Sequence, residues 1–250
     1  MAGTKTIVDD ISFDVGRRKI VAVTGGSGSG KTTLGLSILR LLSAGLEITK
    51  GKILFEGKDL LMLDDEDMRQ CRGARIGMVF QEPLSAFDPL FTIGSQIDEV
   101  LSAHTVLNKQ QRYNNVLDVL SDVELPDPQR AYESYPHQLS GGMRQRAMIA
   151  QAIAGNPSLV IADEPTSSLD VRLQVKIMDL FRKLRRERGI SILLIAHDLG
   201  VVSHLADEVV VLRAGRMVEH GPVRAMMDKP KHEYTKQLIE AFNPGFNPDL

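Results

Sequence analysis

The sequence predicts an α/β fold, with a mainly parallel sheet between helices and a helical segment inserted between two strands. Short apolar runs rich in β-branched residues recur along the chain, as expected of strands that helices cover on both faces. Segments with helical apolar spacing separate these runs, and such alternation favours a parallel sheet. The stretch from about Pro83 to Gly155 differs, because it carries several helical patterns and no convincing strand.

Each predicted strand comes from one of the apolar runs. The strands are expected at Ile20–Thr24, Lys52–Phe55, Ile76–Phe80, Leu159–Ala162, Ile190–Ile195 and Glu208–Leu212. Helices with an apolar face are expected at Thr32–Leu42, near Ile93–Leu107, near Gln110–Ser121, from about Gly141 to Gly155, and over Asp170–Glu187. Two short helices are expected after Gly221, with Pro230 between them.

Composition and charge exclude several classes of protein. The 250 residues carry 30 Lys and Arg against 32 Asp and Glu, a net charge of −2, so no nucleic-acid partner and no basic membrane anchor are expected. The single Cys71 leaves no internal disulfide and indicates a reducing compartment. No apolar run approaches the ~20 residues of a membrane span, and we expect no signal peptide.

A glycine-rich segment, G-G-S-G-S-G-K-T, follows the first predicted strand and opens the first predicted helix. This is the context that a phosphate-binding loop requires, because its backbone N–H groups and the helix N-terminus both attract phosphate. Lys31 is expected to reach the β- and γ-phosphates, and Thr32 to place its hydroxyl on Mg²⁺. The candidate nucleotide-binding residues are Gly25, Gly26, Ser27, Gly28, Ser29, Gly30, Lys31, Thr32 and Thr33.

The apolar run Leu159–Ala162 ends in two carboxylates, Asp163 and Glu164. Ligands of open α/β sheets bind at the carboxyl ends of the strands. Asp163 is therefore a candidate for holding Mg²⁺, and Glu164 for polarising an attacking water. Two solvated acids that merely end a strand are the alternative, which the phosphate loop upstream disfavours.

Three further motifs complete a pattern with the loop and the two carboxylates. In chain order the elements are the phosphate loop, Gln81, Leu139-Ser140-Gly141-Gly142, Asp163-Glu164 and His197, and Ser167-Ser168-Leu169-Asp170 adds one more. This set resembles the ATP-binding cassette (ABC) ATPases, the nucleotide-binding subunits of ABC transporters. The match runs from about Ile7 to Tyr234.

The resemblance implies a particular division of the chain. A P-loop NTPase core of the ABC ATPase type, RecA-like with an N-terminal antiparallel β part, would occupy residues 1–82 and 156–220. An inserted helical subdomain would occupy 83–155, and a short helical tail would occupy 221–250. All three would belong to one ABC ATPase domain over 1–250.

The resemblance also implies the roles of the remaining motif residues. Gln81 would reach Mg²⁺ and the attacking water and would join the core to the helical subdomain, and His197 would contact the γ-phosphate. The signature residues Ser140, Gly141 and Gly142 would contact ATP held by a second subunit. Asp170 would lie in the same interface and is also counted among the implied nucleotide-binding residues. ATP and Mg²⁺ would therefore be buried between two subunits.

Three stretches are similar to those of bacterial dipeptide, oligopeptide and nickel importers: Phe80–Gly94, Tyr135–Gln138 and Lys231–Thr235. This similarity implies ATP hydrolysis that drives import of a peptide, nickel or a metal chelate. The implied partners are two transmembrane permease subunits, a second ABC ATPase subunit, identical or related, and indirectly a periplasmic or extracellular solute-binding protein. The chain would then lie peripherally on the cytoplasmic face of the bacterial inner membrane.

Two alternatives and one departure from the family pattern stay open. An accessory ABC-type ATPase of a non-transport complex, such as one of phosphonate degradation, would share the tail pattern. A generic phosphate-loop kinase would leave the signature and His197 without a purpose.

Family members usually begin with one more strand and an aromatic residue that stacks on adenine. Here no aromatic precedes Phe13, which we interpret as an inward-facing strand residue, so either the start lies upstream or the base is bound weakly.

Overall fold

Parallel strand pairs dominate the computed structural model, which describes residues 6–242. The strands are β1 (Ile20–Gly25), β2 (Leu54–Phe55), β3 (Lys58–Asp59), β4 (Ile76–Val79), β5 (Leu159–Asp163), β6 (Ser191–Ile195), β7 (Glu208–Arg213) and β8 (Arg216–Pro222). The helices are α1 (Lys31–Ile38), α2 (Asp65–Cys71), α3 (Pro83–Ala86), α4 (Ile93–His104), α5 (Lys109–Asp122), α6 (Pro128–Glu133), α7 (Gly141–Ile153), α8 (Val171–Arg188), α9 (Leu199–Leu205), α10 (Val223–Asp228) and α11 (Glu233–Phe242).

The chain divides into two units. The first comprises the described residues up to Asp64 and from Ile192 onward, and the second is Asp65–Ser191. The predicted helical subdomain, 83–155, falls inside the second unit, and its boundaries stay a prediction. The predicted tail, 221–250, reaches beyond the described residues. None of the helices within 6–242 is both long and apolar enough to cross a membrane.

β1 is the central strand of the first unit. It pairs in parallel with β6, which sets Val23 opposite Ile195, and in parallel with β7, which sets Val23 opposite Val210. All six residues of β1 are buried, as its apolar run predicts for a strand covered on both faces. β7 also pairs in the antiparallel sense with β8, with an irregularity between Val211 and Leu212.

The antiparallel part near the N-terminus is small. It consists of the hairpin of β2 and β3, so the strand predicted over Lys52–Phe55 is shorter than expected. The strand interpretation of Phe13 is wrong, because no strand is assigned to 11–16 in the described chain. Ile11, Phe13 and Val15 are half-buried and alternate with exposed residues. The segment therefore has an inner face without the ladder of hydrogen bonds that defines a strand.

Helix α1 ends at Ile38, four residues before the predicted end at Leu42. The reason lies in the backbone, because Arg40 adopts a left-handed conformation with φ of 52° and cannot continue a right-handed helix. Its side chain donates a hydrogen bond from Nη1 to the carbonyl oxygen of Leu63 at 2.7 Å, which stabilises the turn.

The second unit combines one parallel strand pair with most of the helices. β4 and β5 pair in parallel, with Val79 opposite Ala162. Five of its helices begin at side-chain caps that accept a backbone N–H of the first turn: Thr92 for α4, Asn108 for α5, Asp127 for α6, Ser140 for α7 and Asp170 for α8. The rings of Tyr113 and Tyr132 meet edge to face, with centroids 4.9 Å apart, and connect α5 to α6.

Candidate functional site

The phosphate loop leaves β1 and enters α1 through two positions that require glycine. Gly25 has φ of 147°, and a Cβ there would overlap the carbonyl oxygen of Leu212 in β7. Gly30 has φ of 97° and precedes α1 without any side-chain capping hydrogen bond. A helix start of this kind presents backbone N–H groups and the positive end of the helix dipole, which together suit an anion.

The ammonium group of Lys31 lies inside the loop. The residue is 6% exposed, and Nζ donates hydrogen bonds to the carbonyl oxygens of Gly25 at 2.9 Å and Gly26 at 3.0 Å. Burial of a charge is costly unless the surroundings compensate for it. The buried ammonium group of Lys31 is only partly compensated by neutral carbonyl oxygens, so the loop favours a negatively charged ligand.

The other loop residues fit phosphate as well. Ser29 is 4% exposed, and its hydroxyl is buried with no hydrogen-bond partner among residues 6–242. A buried polar group without a partner is costly, so a phosphate oxygen would satisfy it. Ser27 and Gly28 are exposed at the tip of the loop, Thr32 is exposed on the first turn of α1, and Thr33 is half-buried beside it.

His197 lies at the same sheet edge as the phosphate loop. β6 and β1 are parallel neighbours, and the N–H of Ala196 donates to the carbonyl oxygen of Val23 at 3.1 Å. His197 follows this last ladder bond, just as the loop follows β1. The side chain of His197 is exposed, and Asp198 caps α9 by accepting the N–H of Gly200 at 2.7 Å.

The two predicted carboxylates end β5 in different environments. Asp163 is 3% exposed, whereas Glu164 is half-buried and has a left-handed φ of 44°. Such a backbone conformation costs energy for a residue other than glycine, and it occurs preferentially at functional sites. It turns Glu164 away from the strand direction, so that Asp163 is buried while the adjacent Glu164 is half-buried.

Gln81 and Glu164 are brought together within the second unit. Gln81 follows β4, Glu164 follows β5, and the parallel pairing of these strands puts both at one edge. Nε2 of Gln81 donates a hydrogen bond to Oε2 of Glu164 at 3.1 Å. An amide donor of this kind orients the carboxylate.

The signature residues start helix α7, as predicted. Ser140 is the N-cap, with its hydroxyl accepting the N–H of Met143 at 3.4 Å. A Cβ at Gly141 would meet no atom within 4 Å, whereas one at Gly142 would lie 3.2 Å from Cδ1 of Leu173. Leu173 in turn donates its N–H to Asp170, the N-cap of α8, at 3.0 Å. The signature and Asp170 therefore meet through Leu173, with Ser140, Gly141 and Asp170 exposed.

Sequence reasoning missed one contact of the phosphate loop. The hydroxyl of Tyr234 accepts the N–H of Gly26 at 2.8 Å, and the guanidinium of Arg213 lies 4.9 Å from the centre of the tyrosine ring. The only signal in the sequence was the position of Tyr234 within the stretch Lys231–Thr235. That stretch pointed to a branch of the family and gave no role to the tyrosine itself.

The predicted Mg²⁺ ligands fit the ion by their donor chemistry. Thr32, Gln81 and Asp163 offer oxygen atoms, which Mg²⁺ prefers, and the ion usually keeps several waters and takes only one or two protein carboxylates. The buried carboxylate of Asp163 matches that requirement. Among residues 6–242, no group of three or more His, Cys, Asp or Glu side chains could hold a metal by itself.

Comparison with known proteins identifies similar chains. The model of the ABC transporter family matches residues 8–167, more than half of the chain. A Brucella ovis relative named as a peptide import ATP-binding protein is 46% identical over 240 residues, covering 94% of this chain and 71% of the relative. The dipeptide transport ATP-binding protein DppD of Bacillus subtilis is 44% identical over 238 residues, covering 95% and 71%.

A solved structure shares the fold over most of its length. It is the dimeric structure of an ATP-binding cassette in a post-hydrolysis state bound to ADP and Pi. The TM-score is 0.77 at 30% sequence identity, and the match covers 87% of this chain and 91% of that one. The α/β fold with a mainly parallel sheet and a helical region is thus that of the ATP-binding cassettes.

Proposed function

Because this chain belongs to the ABC transporter family and is one of its ATPases, we propose that it powers the import of peptides through a membrane permease. Two relatives of about the same similarity carry names for peptide or dipeptide import, and these names support peptides as the transported class. An accessory ATPase of a non-transport complex, such as one of phosphonate degradation, is not favoured. Nickel and metal chelates gain no support from these names.

The single observation that carries the proposed ATP binding is the burial of Lys31, whose ammonium group is bonded to carbonyl oxygens of its own loop. We propose that Lys31 exchanges these carbonyl oxygens for the β- and γ-phosphates of ATP, while the N–H groups at the start of α1 surround the same phosphates. The hydroxyl of Ser29 would donate to a phosphate oxygen. Gly25, Gly26, Ser27, Gly28, Gly30 and Thr33 would complete the loop.

Hydrolysis requires a base, and Glu164 is the candidate. It would accept a proton from the attacking water as the water oxygen bonds to the γ-phosphorus and the bond to the β-phosphate oxygen breaks. Gln81 would hold this carboxylate in place through the hydrogen bond already formed. His197 would donate to a γ-phosphate oxygen. Thr32, Asp163 and Gln81 would hold Mg²⁺, which would supply positive charge beside the transferred phosphoryl group.

The signature residues and Asp170 would contact the nucleotide held by a second subunit. Ser140, Gly141 and Asp170 are exposed, and the N-terminus of α7 is a second anion-binding helix start. The working unit would therefore be a dimer of ATPase subunits, either two copies or one copy with a related chain. Two permease subunits would hold this dimer at the cytoplasmic face of the inner membrane, with a solute-binding protein delivering peptide on the other side.

A reconstitution experiment tests the proposal. The chain is purified with candidate permease subunits from the same organism and placed in vesicles with a candidate peptide-binding protein. We expect ATP hydrolysis to rise when a di- or tripeptide is supplied, with uptake of labelled peptide, and no rise with Ni²⁺. Stimulation by Ni²⁺ or a metal chelate alone would overturn the peptide assignment. Failure to associate with any permease would overturn the role in import.

A further inference from the structure

We propose that Tyr234 is a positioning residue of the phosphate loop, which holds the peptide group of Gly26 in the shape that receives ATP. This inference rests on the proposed nucleotide-binding role of the loop. Tyr234 lies on α11, 208 positions from Gly26. None of the proposed catalytic steps uses this residue.

The peptide groups of Gly26 are held from two directions. Its N–H donates to the hydroxyl of Tyr234 at 2.8 Å, and its carbonyl oxygen accepts from Nζ of Lys31 at 3.0 Å. In the proposed mechanism Lys31 leaves this oxygen for the phosphates. The N–H of Ser29 still donates to this oxygen at 3.2 Å, and the hydrogen bond to Tyr234 is the contact that fixes the N–H side of Gly26.

Gly25, the last residue of β1, and Gly26 are two consecutive glycines at the start of the loop. Two consecutive glycines lose more conformational entropy on ordering than any other pair of residues. A loop that is ordered before the ligand arrives binds more tightly, because the ligand does not have to order it. One hydrogen bond at Gly26 therefore acts on nucleotide affinity without touching the nucleotide.

The tyrosine is itself held in place by groups of the first unit. The guanidinium of Arg213 lies 4.9 Å from the ring centre, in cation–π distance. The backbone N–H of Tyr234 donates to Nδ1 of His232 at 3.1 Å. The carboxylate of Glu219 in β8 accepts the N–H groups of Lys231 and His232, both at 2.9 Å. The start of α11 is thus tied to the strands beside the loop.

The next residue on α11, Thr235, is 2% exposed, so Tyr234 also belongs to a packed helix start. A purely structural role would be to dock α11, and it makes a different prediction from positioning. If docking were the whole role, loss of the hydroxyl would lower thermal stability and leave the affinity of the folded protein for ATP unchanged. If positioning is correct, affinity falls while stability is preserved.

Gly26→Ala, made with and without Tyr234→Phe, distinguishes positioning of the loop from docking of α11. A Cβ at Gly26 would lie 3.0 Å from the hydroxyl of Tyr234 and near no other group within 4 Å. Gly26→Ala must therefore push the hydroxyl away and weaken the hydrogen bond. In a Tyr234→Phe background the oxygen is absent, so the same alanine meets no obstacle.

The experiment titrates Mg²⁺-ATP into the 250-residue chain and its variants. Tyr234→Phe is expected to raise the Kd about three- to tenfold, the effect of one net hydrogen bond. The thermal midpoint of the nucleotide-free protein should stay unchanged. Gly26→Ala should raise the Kd by a similar factor in the parental chain and by less than twofold in the Tyr234→Phe chain. Tyr113→Phe on α5 is the matched control and should bind ATP as the parent does.

Each possible outcome either supports or overturns the positioning role of Tyr234. Parental affinity in Tyr234→Phe, or an equal effect of Gly26→Ala in both backgrounds, overturns the positioning role. A fall in the thermal midpoint with unchanged affinity assigns Tyr234 to docking alone. Lys31→Ala separates this inference from the proposed function, because it must lose ATP binding if the loop holds phosphate. If Lys31→Ala binds ATP normally, the loop assignment itself fails.

Discussion

Gln81 and Glu164 are joined by a hydrogen bond of 3.1 Å from the side-chain amide to the carboxylate. The glutamine stands between β4 and α3, so it connects a strand end to the first of the helices that follow. The glutamate is turned by its own left-handed backbone. The direction of the proposed base therefore depends on the segment that carries Gln81, and a shift of that segment would reorient the base.

Replacement of Glu164 by glutamine removes the base and keeps its shape. An amide oxygen at this position still accepts the hydrogen bond from Gln81, so the local structure should persist. We expect kcat for ATP hydrolysis to fall by about 10²- to 10⁴-fold, with an ATP-bound dimer accumulating because hydrolysis no longer separates the subunits. Phosphate release and size-exclusion chromatography with Mg²⁺-ATP measure both effects.

The matched control for this variant is Glu99→Gln, which neutralises an exposed carboxylate on α4. It should hydrolyse ATP at the parental rate. Parental turnover in Glu164→Gln would show that another group accepts the proton.

Alanine at Gly141 tests whether the signature faces a second subunit. Apart from its chain neighbours and the adjacent backbone of α7, no atom of the described chain lies within 4 Å of a Cβ at this position, so the thermal midpoint and ATP binding by the isolated chain should be unchanged. Hydrolysis should nevertheless fall about tenfold, because the added methyl group would obstruct a partner's nucleotide at a cost of ~1–3 kcal/mol. Thermal unfolding and phosphate release are measured together.

The neighbouring Gly142 provides the comparison. Alanine there would press on Leu173 at 3.2 Å within the same chain and should also lower stability, by about 1 kcal/mol. If Gly141→Ala hydrolyses ATP normally, the proposed contact across the dimer is wrong.

Alanine at Gly77 should destabilise the protein strongly. A Cβ there would overlap the carbonyl oxygen of Ala152, which is backbone of α7 and cannot rotate away. We expect the free energy of unfolding to fall by about 3 kcal/mol, as the strand and helix are forced apart. Urea unfolding measures the change. Gly221→Ala in β8 has open space around its Cβ, and it should be nearly neutral; equal losses in both variants would contradict the steric argument.

The hydrogen bonds from the N–H groups of Lys231 and His232 to the carboxylate of Glu219, which connect α11 to β8, should weaken in acid. Burial raises the pKa of Glu219, but the nearby Thr235 hydroxyl and the N–H groups of Lys231 and His232 outweigh it and hold this pKa below its usual value. A lowered folded pKa stabilises the protein above the unfolded value of about 4.3, and this contribution is lost as the pH falls through the folded pKa.

Glu219→Gln isolates the effect of that carboxylate. The amide has no charge to lose, so its unfolding midpoint in urea should fall less than the parental midpoint between about pH 6 and pH 3. Parallel midpoints over this range would mean that Glu219 does not anchor α11 through its charge.

The sequence predicted the central strands well because burial on both faces leaves a clear pattern. β1, β5 and β6 are continuous apolar runs, and each observed strand lies within two residues of its predicted bounds. β8 was missed, since its residues are mostly exposed or half-buried and it pairs on one side with β7. A strand without an apolar run or strict alternation gives no periodic signal.

The candidate site could be predicted where motifs are local. The loop from Gly25 to Thr32 and the helix start at Ser140 were correctly placed at a strand end and a helix start, because spacing along the chain reflects local backbone geometry. The contact between Tyr234 and Gly26 could not be predicted, since it joins positions 208 residues apart. The left-handed backbone of Glu164 likewise leaves no trace in a single sequence.

Because of the left-handed backbone at Glu164, selection for heat resistance and selection for ATP hydrolysis would favour different residues at this position. Glycine or asparagine would occupy φ of 44° with less strain, so a laboratory search for heat-resistant variants would enrich them at this position. The proteins so obtained would tolerate heating but would have lost the carboxylate. Engineering of this ATPase for durability should therefore exempt position 164 from randomisation and score every surviving clone by turnover.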